Sequence, residues 1–364
     1  MIASESQQLV EEVAAAFGRG EIVVVADDDD RENEGDLFVA ASMCTPGKMA
    51  FIRRHTSGIV CAPLSADEAK RLHLDPMVAL NDAPLGTAFT VSVDVRHGLT
   101  TGISAEERTN TVRALANPNS GAADFVRPGH VFPLVAREGG VLMRSGHTEA
   151  CVDLCRLAGV PPVGVLAELM NDDGSVMRGA EVKEFAQKHG LKHVTIAELI
   201  GYRQVREKLV ERVGQFTVST EIGTLKGYAY VTPFDKVHHV ALVHGRIGDG
   251  RDVLTRLHRE NILRDIFGGA AEVHRVLSRF GKDGRGVIVI LRDGSAGVPV
   301  SALPQNGVGG AQAARRRQWR EIGLGAQILK DLGISSIRLL TSAEHHYVGL
   351  AGFGIEIAAS EPIG

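Results

Sequence analysis

Cysteine is scarce in this chain of 364 residues, which contains four: Cys44, Cys61, Cys151 and Cys155, all in the first half. So few cysteines over such a length fit a reducing compartment rather than a disulfide-rich protein. No CxxC pair occurs, although Cys151 and Cys155 are four residues apart on a predicted helix. That spacing suits either a metal site or, as we favour, two buried small apolar side chains.

A strong net charge and long apolar runs are also absent. The formal net charge of −4 gives no electrostatic reason to expect a nucleic acid or an anionic membrane as a partner. No run of about 18 apolar residues occurs, so we expect no membrane-spanning helix. Residues 1–6 lack the basic start of a secretory signal. We therefore expect a cytoplasmic protein.

The composition is that of a globular protein with a sizeable core, with 44% hydrophobic and 23% charged residues. The length allows two domains, which we expect at residues 1–206 and 207–364. Charged residues at helical spacing predict a helix over residues 197–213 at their junction. Alternating residues predict a strand over 89–95 in the first domain. In the second domain, the pattern predicts antiparallel strands at 217–219, 227–231 and 237–244, then buried parallel strands at 286–292 and 336–342.

An acidic loop after a buried strand is the most distinctive segment. The β-branched run Val23–Val25 predicts the strand, and seven of the ten residues from Asp27 to Asp36 carry carboxylates. Crowded like charges need cations, protonation or open solvent, and hard ions such as Mg²⁺ prefer oxygen ligands. A solvated acidic turn is the alternative. The preceding strand and the interruptions at Arg31, Asn33 and Gly35 favour a site.

Two Gly-His loops and one embedded carboxylate form a second cluster. His130 and His147 each follow a glycine in a loop beside a short apolar stretch. A lone histidine is more often a hydrogen-bonded structural residue than a ligand, but two such loops so close together make a functional role equally plausible. Glu168 lies in the otherwise apolar stretch 164–169, where a carboxylate must be paired, protonated or directed into a cleft.

A polar loop with Gly102 leads into a predicted helix capped by Ser104, where Glu107 completes a capping-box pattern. Because the free N–H groups of a helix start bind anions, this is a candidate anion site. A plain helix cap explains the same residues.

These clusters suit chemistry on a small phosphorylated sugar. A metal ion polarises a carbonyl group and stabilises an enediolate, while carboxylate and imidazole groups move protons at neutral pH. Arginine and backbone amides hold phosphate. Spacing alone does not show that Glu32 and His147, more than a hundred residues apart, meet in space.

Five motifs over residues 5–205 closely resemble 3,4-dihydroxy-2-butanone 4-phosphate synthase of riboflavin biosynthesis: DDDDRENEGDL (27–37), TTGISAEERTNTVRA (100–114), RPGHVFPL (127–134), RSGHTEA (144–150) and GVLAELMNDDG (164–174). The resemblance implies an α+β domain, a mixed sheet with flanking helices, that forms a homodimer. It implies a lyase that converts D-ribulose 5-phosphate to L-3,4-dihydroxy-2-butanone 4-phosphate and formate. It also implies two Mg²⁺ or Mn²⁺ ions in each active site.

The same resemblance assigns roles to individual residues. It implies that Glu32 and His147 are metal ligands, and that His130 and Glu168 serve catalysis in proton transfer. It assigns nine residues to substrate binding: Arg31, Glu32, Asp36, Arg144, Ser145, Gly146, His147, Thr148 and Glu168. It gives no single role to Asp27, Asp28, Asp29, Asp30 or Glu34.

The second half resembles GTP cyclohydrolase II, an α/β domain, in EIGLGAQILKDLGISSIRLLT (321–341) and in the H-x-E that begins at His258. That family holds zinc with three cysteines, whereas residues 207–364 contain none, so a Cys₃ zinc site cannot be built. Asn261 replaces the first of those cysteines. Arg320 matches the arginine proposed as nucleophile in that family, but Gln318 replaces its companion aspartate. We therefore expect no zinc and a catalytically inactive domain.

Two alternatives remain for the second half. His258 and Glu260 could belong to a different metal site, which would make the enzyme bifunctional and active on GTP. Alternatively, this half could be a regulatory module that binds a nucleotide.

Overall fold

The computed structural model describes residues 5–27, 33–83, 85–232, 235–260, 265, 271–292, 323–341 and 355–363. Eight residues named in the sequence analysis lie outside these ranges: Asp28, Asp29, Asp30, Arg31, Glu32, Asn261, Gln318 and Arg320. The chain divides into two compact units, Met1–Arg203 and Gln204–Gly364. No helix among the described residues is long and apolar enough to cross a membrane.

The first unit is an α+β domain built on a seven-stranded mixed sheet. The order of its strands is β4-β5-β3-β6-β2-β1-β7. The strands are β1 (Val23–Ala26), β2 (Gly35–Ala40), β3 (Cys61–Leu64), β4 (Val93–Val95), β5 (Phe125–Val135), β6 (Gly164–Glu168) and β7 (Lys192–Thr195). The helices are α1 (Glu5–Gly18), α2 (Pro46–His55), α3 (Ala66–Arg71), α4 (Ala105–Leu115), α5 (His147–Leu157), α6 (Ala180–His189) and α7 (Ile196–Arg206).

Both faces of this sheet are covered, because successive strand residues alternate between two apolar clusters. Val24 packs in one cluster with buried residues of α2, α4 and α6. Val23 and Val25 pack in the other with buried residues of α1, α5 and α7. The strand β1 therefore reads as a continuous apolar run.

The strand pairing brings several chain segments to one edge of the sheet. Antiparallel pairing places Ala26 at the end of β1 opposite Gly35 at the start of β2. It also places the start of β2 against the end of β6, and Cys61 at the start of β3 against Leu166 in the middle of β6. The end of β1, the start of β2 and the end of β6 therefore lie at a common edge.

The second unit contains another seven-stranded mixed sheet, ordered β14-β13-β11-β12-β10-β9-β8. The pairs β8–β9, β9–β10 and β10–β12 are antiparallel, whereas β11 pairs in parallel with β12 and β13, as does β13 with β14. This confirms the predicted change from antiparallel to parallel strands. The strands are β8 (Glu211–Thr220), β9 (Gly223–Thr232), β10 (Asp235–His244), β11 (Val253–Arg259), β12 (Gly286–Leu291), β13 (Ser336–Thr341) and β14 (Glu356–Pro362). Among the described residues of this unit, the helices are α8 (Ala271–Asp283) and α9 (residues 323–331).

The predicted helix over 197–213 is wrong beyond Arg206, where α7 ends. The amide of Gln327 donates from Nε2 to the carbonyl oxygens of Gln204, at 2.7 Å, and Glu207, at 2.6 Å. Its Oε1 accepts from the Leu209 N–H at 2.6 Å. The groups that would continue the helix are thus bonded to another side chain, and Glu211 begins β8.

The predicted strand over 89–95 is regular only at Val93–Val95. Phe89 and Thr90 form isolated bridges, to Leu134 and Pro76. The alternating pattern was correct, but two different partners interrupt the pairing.

Candidate functional site

Asp27 closes the acidic loop rather than pointing into solvent. Its Oδ1 accepts from the backbone N–H of Glu34 at 2.9 Å, and its own N–H donates to the Glu34 carbonyl at 3.1 Å. The side chain is buried. One carboxylate of the run therefore joins the end of β1 to Glu34, which directly precedes β2.

Asp36, His147 and Glu168 come from three different elements. Asp36 lies in β2 directly opposite Glu168 at the end of β6. His147 is the first residue of α5, and its Nε2 lies 3.9 Å from Asp36 Oδ1, with both side chains buried. The distance exceeds a hydrogen bond. The structure therefore brings an imidazole and two carboxylates to the edge that the strand pairing defines.

The donor atoms at this edge are of the types that bind a divalent metal ion, because imidazole nitrogen and carboxylate oxygen both coordinate Mg²⁺ or Mn²⁺. Glu32, the predicted partner of His147 in metal binding, lies outside the described ranges. Among the residues that the structure describes, no group of three His, Cys, Asp or Glu side chains could hold a metal ion.

Arg144 is held in a buried ion pair at the start of the loop before α5. Its Nη1 donates to Glu149 Oε2 at 2.6 Å, and its Nη2 donates to Thr87 Oγ1 at 3.0 Å. A Cβ atom at Gly146 would lie 2.2 Å from Arg144 Nη1, so only glycine fits there. These contacts place Ser145, Gly146 and Thr148 at the N-terminus of α5, whose N–H groups point away from the helix.

His130, in β5, is oriented by Asp94 in the neighbouring strand β4. Its Nδ1 lies 2.7 Å from Asp94 Oδ2, and its backbone N–H donates to Oδ1 at 2.9 Å. An ionised carboxylate only accepts, so Nδ1 carries a proton and a neutral ring presents Nε2 as an acceptor. A Cβ atom at Gly102 (φ +80°) would lie 2.2 Å from Asp94 Oδ2, so the 100–104 loop packs closely on this pair.

Glu168, which ends β6, is held by the loop before β3. Ser57 Oγ donates to Glu168 Oε2 at 2.6 Å, and the Ser57 N–H donates to the Glu168 carbonyl at 2.9 Å. Of the three predicted alternatives for this carboxylate (paired, protonated or directed into a cleft), the contact with Ser57 supports the first. Neither Ser57 nor Asp94 was singled out from the sequence, because each acts through a contact with a residue far along the chain.

The candidate anion site at the start of α4 is filled by the chain's own carboxylate. Glu107 accepts from the Thr100 N–H at 2.7 Å, from Thr100 Oγ1 at 2.8 Å and from Ser104 Oγ at 2.9 Å. These hydrogen bonds hold the pKa of Glu107 well below its usual range. The segment is a capping box, as the plain-cap alternative stated.

The four cysteines are free and buried. Cys151 and Cys155 lie in the apolar cluster beneath α1 and α5. Burial raises the pKa of the Cys44 thiol to about 11, and it raises the pKa of Cys61 and Cys151 as well. Neutral buried thiols behave as small apolar side chains, so the packing interpretation of this pair is confirmed.

In the second unit, His258 and Glu260 of the H-x-E sequence contact side chains of other segments. His258 Nε2 lies 3.1 Å from Asp265 Oδ2, and its Nδ1 lies 3.9 Å from Glu272 Oε1. Glu260 accepts from Arg292 Nε at 2.8 Å. The two side chains considered for a replacement metal site therefore have separate partners.

Comparisons with known proteins match both units. Residues 11–202 match the family 3,4-dihydroxy-2-butanone 4-phosphate synthase, and residues 211–362 match the family GTP cyclohydrolase II. The bifunctional riboflavin biosynthesis protein RIBA 1, chloroplastic, of Arabidopsis thaliana is 46% identical over 363 residues, which are 95% of this chain and 67% of that protein.

Two solved structures are similar. RibBX, a two domain 3,4-dihydroxy-2-butanone 4-phosphate synthase from A. baumannii, has a TM-score of 0.80 and 38% identity, and the match covers 97% of this chain and 99% of that one. A 3,4-dihydroxy-2-butanone 4-phosphate synthase in complex with two magnesium ions has a TM-score of 0.53 and 47% identity, and the match covers 54% of this chain and 96% of that one.

Proposed function

We propose that this chain, which belongs to the 3,4-dihydroxy-2-butanone 4-phosphate synthase family and carries a second domain of the GTP cyclohydrolase II family, converts D-ribulose 5-phosphate to L-3,4-dihydroxy-2-butanone 4-phosphate and formate. The observation that carries the proposal is the convergence of Asp36, His147 and Glu168 at one sheet edge. An acid–base reaction on a sugar phosphate needs such a combination of carboxylates and imidazole.

Glu32 and His147 would hold two divalent ions together with the substrate, and Mg²⁺ or Mn²⁺ suits their donor atoms. When bound, the ions would polarise the substrate carbonyl and stabilise an enediolate. Support comes from the similar structure that contains two magnesium ions and from the imidazole–carboxylate pair of His147 and Asp36.

His130 and Glu168 are the proposed proton-transfer groups. Asp94 fixes the tautomer of His130, so that Nε2 is the acceptor available to a substrate proton. Glu168 is half-buried at the strand end and is held as a hydrogen-bond acceptor by Ser57. Both groups are oriented by neighbouring side chains, which is a requirement of efficient proton transfer.

Binding of the substrate is proposed for Arg31, Glu32, Asp36, Glu168 and the loop from Arg144 to Thr148. The N-terminus of α5 has no side-chain cap at Gly146, and its helix dipole favours a phosphate group there. The buried pair with Glu149 gives Arg144 a second task, because it keeps this loop in position.

A homodimer is proposed on the basis of exposed apolar side chains beside the site. Met77, Val78, Leu80 and Leu85 lie on one loop, and Leu80 is 82% exposed. Clusters of exposed apolar side chains mark sites of protein interaction. The carbonyl of Leu85 accepts from Arg144 Nη2 at 3.3 Å, so the loop is directly connected to the substrate loop.

For the second domain we propose a role other than zinc-dependent opening of GTP. Its donor set does not fit zinc of the Cys₃ type, since residues 207–364 contain no cysteine. A bifunctional enzyme is the alternative, and the name of the Arabidopsis relative favours it. A second alternative is a regulatory module that binds a nucleotide. Calorimetry with GTP and with a flavin distinguishes these possibilities. A regulatory module would bind one of the two ligands without turnover, whereas a domain that binds neither ligand would give no heat.

Metal removal tests the proposed function of the first domain. Protein treated with EDTA and then freed of it is expected to release no formate from ribulose 5-phosphate, and addition of Mg²⁺ or Mn²⁺ is expected to restore release. His147→Ala should remain inactive at metal concentrations that restore the unaltered protein. Full activity of the EDTA-treated protein would contradict the proposal.

A further inference from the structure

We infer that Ser57 is a positioning residue for Glu168, an inference that rests on the proposed role of Glu168 in proton transfer. Two bonds connect these residues, one from the Ser57 hydroxyl to Oε2 at 2.6 Å and one from the Ser57 N–H to the Glu168 carbonyl at 2.9 Å. Side chain and backbone are therefore held by the same residue. The two are 111 positions apart in the chain, so the contact is tertiary.

The hydroxyl group of Ser57 donates its proton to Glu168. The backbone N–H of Ile59 donates to Ser57 Oγ at 3.2 Å, so the oxygen already accepts on that side. A serine hydroxyl has a single proton, and the geometry gives that proton to Glu168 Oε2. This oxygen is then fixed as an acceptor, which leaves Oε1 as the atom that takes a proton from substrate.

The loop that carries Ser57 is itself held in place. Arg108 Nη1, from α4, donates to the Gly58 carbonyl at 3.0 Å, and the Arg108 side chain is buried. Thr56 Oγ1 donates to the Ile52 carbonyl at 2.7 Å and accepts from the Gly58 N–H at 3.3 Å. Because the residues on both sides are bonded to the framework, Ser57 has little freedom to move away from Glu168.

A purely structural role does not account for this hydroxyl. Ser57 is exposed, so water would satisfy its polar atoms if Glu168 were elsewhere. Exposed hydroxyl groups contribute little to folding stability. The short hydrogen bond from Ser57 instead restricts the orientation of the Glu168 carboxylate at the strand end. Residues that surround a catalytic group commonly orient it in this way.

The test compares Ser57→Ala and Ser57→Thr in the full chain, with Mg²⁺ and ribulose 5-phosphate. We expect Ser57→Ala to lower kcat about tenfold, the loss expected for one hydrogen bond to a charged group. The loss should be larger in kcat than in KM, and the unfolding midpoint should stay unchanged, because the core is untouched. Ser57→Thr retains the hydroxyl, so it should recover most of kcat.

Ser175→Ala is the matched control, since Ser175 is exposed and donates to Asp173 at the same distance, 2.6 Å; it should leave kcat unchanged. An unchanged kcat in Ser57→Ala, or a Ser57→Thr variant as slow as Ser57→Ala, would overturn the inference. Glu168→Gln in the same assay distinguishes a failure of the inference about Ser57 from a failure of the proposed role of Glu168. If that variant is inactive while Ser57→Ala is normal, the inference alone fails; if Glu168→Gln is fully active, the proposed role of Glu168 fails.

Discussion

Asp36 and Glu168 lie directly opposite each other in the antiparallel pairing of β2 with β6. Residues opposite each other in such a pair project from the same face, and like charges in these positions destabilise a sheet. The same two carboxylates contribute to the raised pKa of the Cys61 thiol beside them. The arrangement is consistent with the role proposed for these two residues at the strand ends.

Glu168→Gln is expected to lower kcat at least about a hundredfold, the usual contribution of a general acid or base. The free energy of unfolding should stay equal or rise slightly, because the substitution removes one of the two facing charges. Initial rates of formate release and urea unfolding measure the two quantities. A variant with lower stability and normal kcat would show that Glu168 serves the fold.

Asp94→Asn is expected to lower kcat about a hundredfold or more while the fold is retained. An asparagine amide can donate to Nδ1, which would stabilise the wrong tautomer of His130. Formate release over a range of substrate concentrations measures this loss. Asp124→Asn is the control, because Asp124 pairs at 3.2 Å with the exposed His97 outside the site; equal losses in both variants would contradict the assignment.

Glu149→Ala should destabilise the first domain by about 3–5 kcal/mol, because it leaves the buried guanidinium of Arg144 without its carboxylate. Urea unfolding followed by circular dichroism measures the change. Glu12→Ala removes the exposed pair of Glu12 with Lys192 and should cause no measurable change. A small effect of Glu149→Ala would mean that Arg144 finds another partner.

The stability of the protein should depend on pH through Asp153. Burial raises the pKa of this carboxyl from 3.8 to about 6, although Arg203 Nη1 lies 2.7 Å from its Oδ2 and acts in the opposite direction. The native state thus binds this proton more tightly than the unfolded chain. The stability gained from it is fully present below about pH 4 and is lost as the pH rises through about 6.

Asp153→Asn removes this titration, so the variant should cost about 2 kcal/mol more stability at about pH 4.5 than at about pH 7.5. Glu107→Gln should behave oppositely, because hydrogen bonds from Thr100 and Ser104 hold the pKa of Glu107 low. Its cost should shrink as the pH falls below the usual glutamate range. Urea unfolding at these two pH values tests Asp153→Asn, and unfolding at about pH 3 and about pH 7.5 tests Glu107→Gln. An Asp153→Asn cost that grows with pH would contradict the raised pKa.

Sequence reasoning succeeded where an interaction is local. The capping box of Ser104 and Glu107 spans three residues, and its hydrogen bonds follow from the helix start itself. The change from antiparallel to parallel strands in the second unit was also visible, since fully buried strands read as continuous apolar runs.

Contacts between residues far apart in the chain could not be predicted from the sequence. Asp94 meets His130 across 36 residues and Ser57 meets Glu168 across 111, and both contacts depend on strand pairing. The end of α7 depends on Gln327, more than a hundred positions away. No periodicity in the sequence contains this information, so the positioning residues became apparent only in the fold.

The most direct test of the account is formate release by the full chain with Mg²⁺, measured in parallel with ribulose 5-phosphate and with GTP. We expect formate from the pentose phosphate and none from GTP, since residues 207–364 contain no cysteine for a Cys₃ zinc site. Formate from GTP would contradict the proposed role of the second domain. Absence of formate from ribulose 5-phosphate would contradict the central claim.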